Sequence, residues 1–293
     1  MRKGIVLAGG SGSRLYPLTN ITSKQLLPVY DKPMICYPVA TLMMLGIKDI
    51  LIISTPEDTP NIMKYFKDGS KLGLNIEYKI QDKPQGIAQA FTIGEDFIGD
   101  DEVCLILGDN IFYMGEQINH IRDYIDDNSK GATIFGYHVP DASRFGVIEF
   151  NEETKEVLSI EEKPAKPKSN YAAVGLYFYD NEVVKMAKNL KPSKRGELEI
   201  TDINKIYLEN KTLKAIELKR GTAWLDAGTP ESLLAASNYV GMIEQRQGLK
   251  ISCLEEIAHK MGYLDDEGLK TIISEIKDGA DYKNYLKTVL AGK

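Results

Sequence analysis

The sequence predicts an α/β fold in which helices flank a mostly parallel sheet, with additional mixed strands and a helical C-terminal tail. Three observations carry this prediction. In the first half, short apolar runs alternate with segments of helical period, which is typical of βαβ units. Residues 132–179 are strand-like with little helix, and from residue 230 onward the pattern is almost wholly helical.

The elements follow in chain order, and the first is an apolar run closed by glycines, which indicates a buried strand. Strands are predicted at 3–8, 48–54, 75–81, 102–107, 132–138, 145–150, 156–162, 172–179 and 213–218. Helices are predicted at 34–46, 60–67, 86–93, 115–127, 181–190, 199–209, 230–246, 250–260, 266–277 and 281–290. Because no internal repeat or Pro/Ser-rich linker interrupts this pattern, it favours a single Rossmann-like domain over residues 1–293.

Composition excludes several classes of function. The 293 residues carry 36 basic and 42 acidic side chains, a net charge of −6, which argues against a nucleic-acid or anionic-membrane binder. Three scattered cysteines and three isolated histidines disfavour a zinc site or a Cys–His enzyme. The longest apolar window, residues 34–47, is too short to span a membrane, so we expect a cytoplasmic protein.

A glycine-rich turn, residues 9–14 (GGSGSR), follows the first strand directly. Its glycines let backbone N–H groups approach an anion closely. Leu15 stands where a dinucleotide fingerprint needs its third glycine, and no G-K-[ST] closes a P-loop. Arg14 supplies a fork of donors suited to phosphate oxygens, and Lys24 follows ten residues later. The turn therefore indicates a phosphate cradle of another kind.

Two acidic residues stand at predicted strand ends. Asp109 follows the strand 102–107, and Asp226 lies between a strand and a helix start. Ligands of open parallel sheets bind beyond the carboxyl ends of the strands, and Mg²⁺ prefers oxygen ligands. Together with the phosphate cradle, the pair suggests metal-dependent phosphoryl or nucleotidyl transfer. Lys163, held extended before Pro164, is a further candidate phosphate ligand.

Ten short segments, spread over nearly the whole chain, carry a resemblance to a known family. They are LAGGSGSRLYP (7–17), SKQLLP (23–28), YDKPMI (30–35), QGIAQAF (85–91), GDN (108–110), RFGV (144–147), EEKP (161–164), residues 175–177, RGELEITD (195–202) and WLDAGT (224–229). In this order they make the chain resemble the sugar-phosphate nucleotidylyltransferases, above all the members that transfer a thymidylyl group. Ser13 replaces the usual threonine and Phe145 a frequent tyrosine, and the C-terminal hexapeptide repeats of longer relatives are missing.

The resemblance implies a reaction of dTTP with glucose 1-phosphate that gives dTDP-glucose and pyrophosphate, by direct in-line displacement with Mg²⁺. It implies catalytic roles for Arg14 (leaving pyrophosphate), Lys24 (α-phosphate), Asp109 and Lys163 (sugar phosphate), with Asp109 and Asp226 holding the metal. The implied nucleotide-binding residues are Leu7, Ala8, Gly9, Gly10, Gly12, Ser13, Arg14, Lys24, Gln25, Gln81, Pro84, Gly86 and Asp109. The implied sugar-phosphate-binding residues are Asn110, Gly146, Glu162, Lys163, Ala173, Tyr177, Arg195 and Trp224.

The resemblance also divides the domain and names partners. Residues 1–130 are expected to bind the nucleotide, 131–229 to bind the sugar and supply the second metal ligand, and 230–293 to form the helical tail. That tail is expected to build a homotetramer, and some relatives bind a dTDP-sugar at a subunit interface as a feedback inhibitor. The expectation of assembly rests on seven apolar tail residues, Leu249, Ile251, Leu254, Ile257, Ile272, Ile273 and Ile276.

Other functions stay open at this point. The same chemistry with UTP, with another base or with another sugar 1-phosphate differs by only a few contacts. A non-catalytic sugar-nucleotide sensor would be expected to lack Arg14, Lys24, Asp109 or Asp226, and all four are present. A nicotinamide dehydrogenase is disfavoured by the missing third glycine.

Overall fold

The computed structural model describes residues 2–10 and 12–292. Within these residues the strands are β1 (Arg2–Ala8), β2 (Pro28–Val29), β3 (Lys32–Pro33), β4 (Asp49–Ser54), β5 (Asn75–Ile80), β6 (Glu102–Leu107), β7 (Asn110–Tyr113), β8 (Ala132–His138), β9 (Gly146–Phe150), β10 (Val157–Glu162), β11 (Tyr171–Tyr179), β12 (Leu213–Glu217) and β13 (Ala223–Asp226).

The helices of the same part of the chain are α1 (Cys36–Met44), α2 (Thr59–Phe66), α3 (Gln89–Ile93), α4 (Glu95–Ile98), α5 (Gln117–Asp127), α6 (Glu182–Asn189), α7 (Ile200–Glu209), α8 (Pro230–Gln247), α9 (Leu254–Lys260), α10 (Asp266–Glu275) and α11 (Asp281–Leu290). Short 3₁₀ turns lie at Ser13–Leu15, Leu18–Asn20, Lys24–Leu26 and Ser70–Leu72. None of the helices in these residues combines the length and the apolar character needed to cross a bilayer.

The centre of the main sheet is parallel and confirms the predicted fold class. Strand β1 lies between β4 and β6, and β5 pairs with the outer side of β4, all in parallel. The carboxyl ends of these strands therefore meet at one edge of the sheet. In open parallel sheets this edge is where ligands bind.

Mixed strands extend the sheet beyond β6. Strand β11 runs antiparallel to β6, and β8, β9 and β10 join antiparallel around it, while β12 adds in parallel to β8. Two small sheets stand apart: the hairpin β2–β3, and the antiparallel pair β7–β13. The pair β7–β13 was not predicted, because four-residue strands carry too few residues for a period to show.

Helices cover both faces of the sheet, and alternate strand residues point to opposite faces. In β1, Ile5 packs with Phe91 on one face, while Val6 packs with Leu42 on the other, and all four are fully buried. Each such side chain contributes roughly 1.5–3 kcal/mol through burial of apolar surface. The cysteines are free and buried among the described residues, as expected for Cys104.

Two predicted helices begin three or four residues later than the sequence pattern suggests. The helix expected at 86–93 begins at Gln89, because Gly86 adopts a φ of +109° and residues 85–88 bond to the backbone of Leu198 instead. The helix expected at 250–260 begins at Leu254, because Ser252 has a φ of +55° in the preceding turn. The helix expected at 34–46 is shorter, Cys36–Met44.

The apolar residues of the tail pack mainly within the chain itself. Ile251, Leu254 and Ile273 are buried, and α10 and α11 form a small core around Cys253. Of the seven residues that carried the expectation of assembly, Leu249 is half exposed and the others are buried or partly buried. The argument from an uncovered apolar surface on these tail helices was therefore wrong.

Candidate active site

The nucleotide side of the site begins at the parallel edge of the sheet, where β1, β5 and β6 end. Gly9 follows β1, Gln81 follows β5, and Asp109 stands two residues after β6. Two backbone bonds fix this edge: Gln81 N donates to Ser54 O at 2.8 Å, and Gly108 N donates to Leu7 O at 2.9 Å. A Cβ on Gly9 would lie 1.9 Å from Gln81 Oε1, so a side chain at this position would displace the Gln81 amide from its present place.

The glycine-rich turn continues into a 3₁₀ turn that presents Arg14. Gly12 has a φ of +61°, and its carbonyl accepts a hydrogen bond from Thr19 Oγ1 at 3.1 Å. Leu15 is buried and anchors the turn, while Arg14 is exposed. The Arg14 guanidinium reaches Gly228, where a Cβ would meet Arg14 Nη2 at 2.7 Å. Ser11 lies outside the described residues.

The two acidic residues are brought together by the small sheet β7–β13. Asp226 pairs with Asn110 in its register, and Ala227 N donates to Asp109 O at 3.2 Å. Lys24 Nζ donates to Asp109 Oδ2 at 2.5 Å. Residues 24, 109 and 226 therefore lie together, as the sequence predicts. The strand pair β7–β13 brings Asp226 to Asp109, and the sequence pattern did not reveal this pair.

The two carboxyl groups are shifted in opposite directions. Burial raises the pKa of Asp109, but the Lys24 ammonium and hydrogen bonds outweigh burial and hold it below its ordinary value. Burial and the neighbouring Asp109 carboxylate raise the pKa of Asp226, against the opposing charges of Arg14, Lys24 and Arg144. The Asp109 carboxylate therefore acts on the Asp226 carboxyl, and both residues line the same cavity.

Both ends of the Asn110 side-chain amide are hydrogen-bonded to other residues of the protein. Its Nδ2 donates to Asp109 Oδ1 at 2.9 Å, while its Oδ1 accepts from Trp224 Nε1 at 2.6 Å and Gly175 N at 3.1 Å. The side chain is buried. It was predicted as a sugar ligand; it does border the cavity, but its contacts show an additional task, which is to orient Asp109 and join β7, β11 and β13.

A cavity of about 300 Å³ lies between the carboxylates and the antiparallel strands. This is the lower end of the usual size for small-molecule sites. Its lining combines cations, carboxylates, aromatic rings and polar groups: Arg14, Ile87, Leu107, Asp109, Asn110, Arg144, Phe145, Gly146, Glu162, Lys163, Ala173, Gly175, Tyr177, Ile200, Thr201, Asn204, Trp224 and Asp226. Seven of the eight predicted sugar-side residues are in this lining, and Arg195 is not.

A hydrogen-bonded cluster fixes Glu162 at the sugar side. Thr201 Oγ1 donates to Glu162 Oε2 at 2.5 Å, and Lys163 Nζ lies 3.5 Å from Glu162 Oε1. Arg195 Nη2 lies 3.2 Å from Glu162 Oε1 and 2.9 Å from both oxygens of the buried Glu199. Arg195 therefore contacts carboxylates in this structure rather than the cavity.

Other predicted nucleotide residues lie outside the cavity lining. Gln25 and Gln81 are buried, Gly10 and Pro84 are exposed, and the close approach of Gly86 to Leu198 O excludes a side chain. Eight cavity residues are absent from the ligand sets predicted above: Ile87, Leu107, Arg144, Phe145, Gly175, Ile200, Thr201 and Asn204. Six of them, all except Leu107 and Asn204, lie inside the family-like segments, and this was the available signal.

The donor set fits one Mg²⁺ ion. Within residues 2–10 and 12–292, no three acidic, histidine or cysteine side chains converge as a complete metal cage. Mg²⁺ is commonly held by only one or two carboxylates together with substrate phosphates and water. The Asp109–Asp226 pair, beside a phosphate-suited turn, matches that pattern.

Comparisons with known proteins agree with this geometry. The family model for nucleotidyl transferases matches residues 3–242. Glucose-1-phosphate thymidylyltransferase from Neisseria meningitidis is 54% identical over 98% of this chain and 99% of its own. The enzyme of that name from Mycobacterium tuberculosis is 53% identical over 98% of this chain and 99% of its own.

Solved structures share the fold. A Bacillus anthracis protein assigned as glucose-1-phosphate thymidylyltransferase and crystallised with sucrose has a TM-score of 0.75 at 44% identity, covering 82% of this chain and 95% of its own. A UDP-glucose pyrophosphorylase complexed with UDP-glucose has a TM-score of 0.74 at 24% identity, covering 83% and 99%, and supports the fold alone. With the family model spanning residues 3–242 and relatives above half identity over nearly the full length, the chain belongs to the nucleotidyl transferase family.

Proposed function

We propose that this enzyme transfers a thymidylyl group from dTTP to glucose 1-phosphate, giving dTDP-glucose and pyrophosphate. Relatives that bear the corresponding name at 52–54% identity over nearly the whole chain support this activity. The observation that carries it is the cavity that joins the carboxylate pair to the polar cluster around Glu162. The wall formed by the carboxylate pair and Arg14 suits phosphates, and the wall around Glu162 suits the hydroxyl groups of a sugar.

The chemistry is a direct displacement. A phosphate oxygen of glucose 1-phosphate attacks the α-phosphorus of dTTP; one P–O bond forms, and the bond to the pyrophosphate breaks. Two polyanions must meet, so catalysis depends on positioning and charge neutralisation. Arg14 binds the leaving pyrophosphate, and Lys24 neutralises charge on the α-phosphate. Backbone N–H groups of the glycine turn cradle the remaining oxygens.

The acceptor is positioned from the other wall. Lys163 grips the phosphate of the incoming sugar, and Glu162 accepts hydrogen bonds from sugar hydroxyls. Thr201 and Arg195 hold Glu162 in place through the bonds described above. Phe145 and Trp224 pack edge-to-face with ring centroids 5.1 Å apart, which gives the cavity a rigid apolar side.

Asp109 and Asp226 are proposed to hold Mg²⁺ on the phosphates. When bound there, the ion neutralises phosphate charge and orients the reacting groups. The opposite pKa shifts of the two carboxyls support this assignment, since both groups occupy one site and Asp109 stays ionised. Lys24 is paired with Asp109 in this structure, and we propose that its ammonium turns to the α-phosphate when the nucleotide binds.

The reaction is tested by measuring pyrophosphate release against a matrix of dTTP, UTP and CTP with glucose, galactose and mannose 1-phosphates. We expect dTTP with glucose 1-phosphate to give the highest kcat/KM. UTP should work less well, because uracil lacks the 5-methyl group of thymine, a contact worth ~1–3 kcal/mol, and because UTP also carries a 2′-hydroxyl that dTTP lacks. A higher kcat/KM with UTP would move the assignment to the uridylyl branch, and no release with any pair would reject catalysis.

We also propose that the chain assembles as a homotetramer. The support is a set of exposed apolar side chains outside the tail core, Leu234 (62% exposed), Met242 (57%) and Leu249 (50%). Light scattering at micromolar concentration should give about four times the chain mass of 32.7 kDa. A mass near one chain would reject assembly. A cytoplasmic location, expected from the sequence, stays a prediction.

A dTDP-sugar is proposed as a feedback inhibitor. The support is a second cavity of about 290 Å³ between α1 and α9, which Phe112 and Tyr113 line together with Lys250 and Lys260. Aromatic and cationic groups are what a nucleoside diphosphate requires. Inhibition by dTDP-glucose or a dTDP-deoxysugar should persist at saturating dTTP and weaken in Lys260→Ala, whereas purely competitive inhibition would reject the second site.

A further inference from the structure

Three glutamines form a hydrogen-bonded chain beside the glycine turn. Gln81 Nε2 donates to Gln89 Oε1 at 2.7 Å, and Gln85 N donates to the same oxygen at 3.0 Å. Gln89 Nε2 donates in turn to Gln85 Oε1 at 3.1 Å. Gln81 is buried, Gln89 is half-buried and Gln85 is exposed, so the bond between Gln81 and Gln89 is the most shielded from water.

The backbone N–H of Gln85 sets the direction of this chain. A backbone N–H can only donate, so the end of the Gln89 amide that faces it must be the carbonyl oxygen. Gln81 approaches the same oxygen and must therefore offer its amino group. Gln85 is itself held in place, because its carbonyl accepts from Leu198 N at 2.6 Å. The polarity thus starts from fixed backbone and not from a freely turning side chain.

This direction leaves Gln81 Oε1 facing the glycine turn. The oxygen lies so close to Gly9 that a Cβ there would be 1.9 Å away. No residue in the described part of the chain donates a hydrogen bond to it. Gln81 therefore presents a bare acceptor at the end of β5, at the parallel edge where the nucleotide is proposed to bind.

We propose that Gln89 is the positioning residue that locks the Gln81 amide with its oxygen toward the base, and thereby selects bases that carry an N–H at position 3. This inference rests on the proposed function. Thymine and uracil offer an N3–H to such an acceptor. Cytosine has a bare N3, so two acceptors would face each other with no hydrogen between them.

The test is base discrimination in Gln89→Met, measured with dTTP and dCTP so that the sugar is the same. Methionine keeps much of the length and removes both hydrogen-bonding ends, so the Gln81 amide can turn and offer its amino group to cytosine. The ratio of kcat/KM for dTTP over kcat/KM for dCTP should fall by about tenfold or more. In the parent this ratio is high because dCTP leaves the Gln81 oxygen and the cytosine N3 without a hydrogen bond. The KM for glucose 1-phosphate should change less than about twofold, because Gln89 lies away from the cavity.

Two matched controls isolate the orientation. Gln89→Glu keeps acceptors for both donors and should keep the ratio, since its added charge affects both triphosphates alike. Gln85→Ala removes only the side-chain acceptor, retains the backbone N–H, and should also keep the ratio. In a Gln81→Ala background, Gln89→Met should leave the ratio unchanged, because Gln89 acts only through Gln81.

The outcomes separate this inference from the proposed function. If the parent shows no preference for dTTP over dCTP, the thymidylyl assignment itself fails. If the parent prefers dTTP over dCTP and Gln89→Met retains the parental ratio, the positioning role is overturned. Gln89→Leu takes the place of Gln89→Met in this test if the methionine variant does not fold. An equal effect of Gln89→Met with and without Gln81 would overturn it as well.

Discussion

The two sides of the active-site cavity are built in different ways. The proposed nucleotide side consists of loops at the ends of the parallel strands β1, β5 and β6, where Gly9, Gly10 and the 3₁₀ turn Ser13–Leu15 follow β1 within a short stretch of chain. The sugar side is assembled from β9, β10, β11 and α7, where Glu162, Thr201 and Arg195 are brought together by antiparallel pairing and ion pairs. The nucleotide side therefore depends mainly on local backbone geometry, whereas the sugar side depends on tertiary contacts between distant segments.

The carboxylate pair lies where the two sides meet, and its loss should have the largest effect. We expect Asp109→Asn and Asp226→Asn each to lower kcat by about a thousandfold, because charge stabilisation of a phosphoryl-type transition state is removed. The thermal midpoint of both variants should stay close to that of the parent. Steady-state pyrophosphate release at saturating Mg²⁺ provides the measurement.

Asp96→Asn is the matched control for this change, since Asp96 is 93% exposed and 3.3 Å from Lys79. Its activity should equal that of the parent. Near-normal Mg²⁺-dependent turnover in the Asp226 variant would show that the β7–β13 pair does not complete the metal site.

The contrast between the two sides explains what the sequence could predict. The turn at 9–14 is a local signal, because glycines and a strand end decide the backbone there whatever the rest of the chain does. The convergence of Asp226 on Asp109 depends on pairing across more than a hundred residues; their positions at predicted strand ends and the resemblance to a family indicated it, but neither revealed the strand pair that produces it. The partners of Asn110 and Arg195 were beyond reach, since side-chain hydrogen bonds follow from packing that no periodicity encodes.

The comparison also predicts different kinetic effects on the two sides. Arg14→Ala should lower kcat by about a hundredfold with little change in the KM for glucose 1-phosphate, because its partner is the leaving group. Lys163→Ala should raise that KM by about tenfold and lower kcat less, because its partner is the incoming phosphate. Initial rates over a grid of both substrates separate the two parameters, and identical patterns in the two variants would contradict the division of roles.

Arg195 gives the smallest expected effect and the sharpest test of how the sugar side is built. It was predicted to bind the sugar phosphate, yet its side chain is 41% exposed and its guanidinium contacts Glu162, Glu197 and Glu199. If it acts by holding Glu162, Arg195→Lys should raise the KM for glucose 1-phosphate by only about fivefold, as expected for a partly exposed ion pair. The KM for dTTP should not change.

The two roles of Arg195 are separated by removing Glu162 first. In a Glu162→Gln background, Arg195→Lys should have little further effect if the arginine works through that carboxylate, because coupled residues do not add. If the arginine leaves its glutamates and binds the phosphate directly, the effects of the two substitutions should add. Arg195→Lys alone should then raise the KM for glucose 1-phosphate by far more than fivefold. Additivity would therefore restore the role that the sequence predicted and would show that the ion pairs seen here open when the sugar phosphate binds.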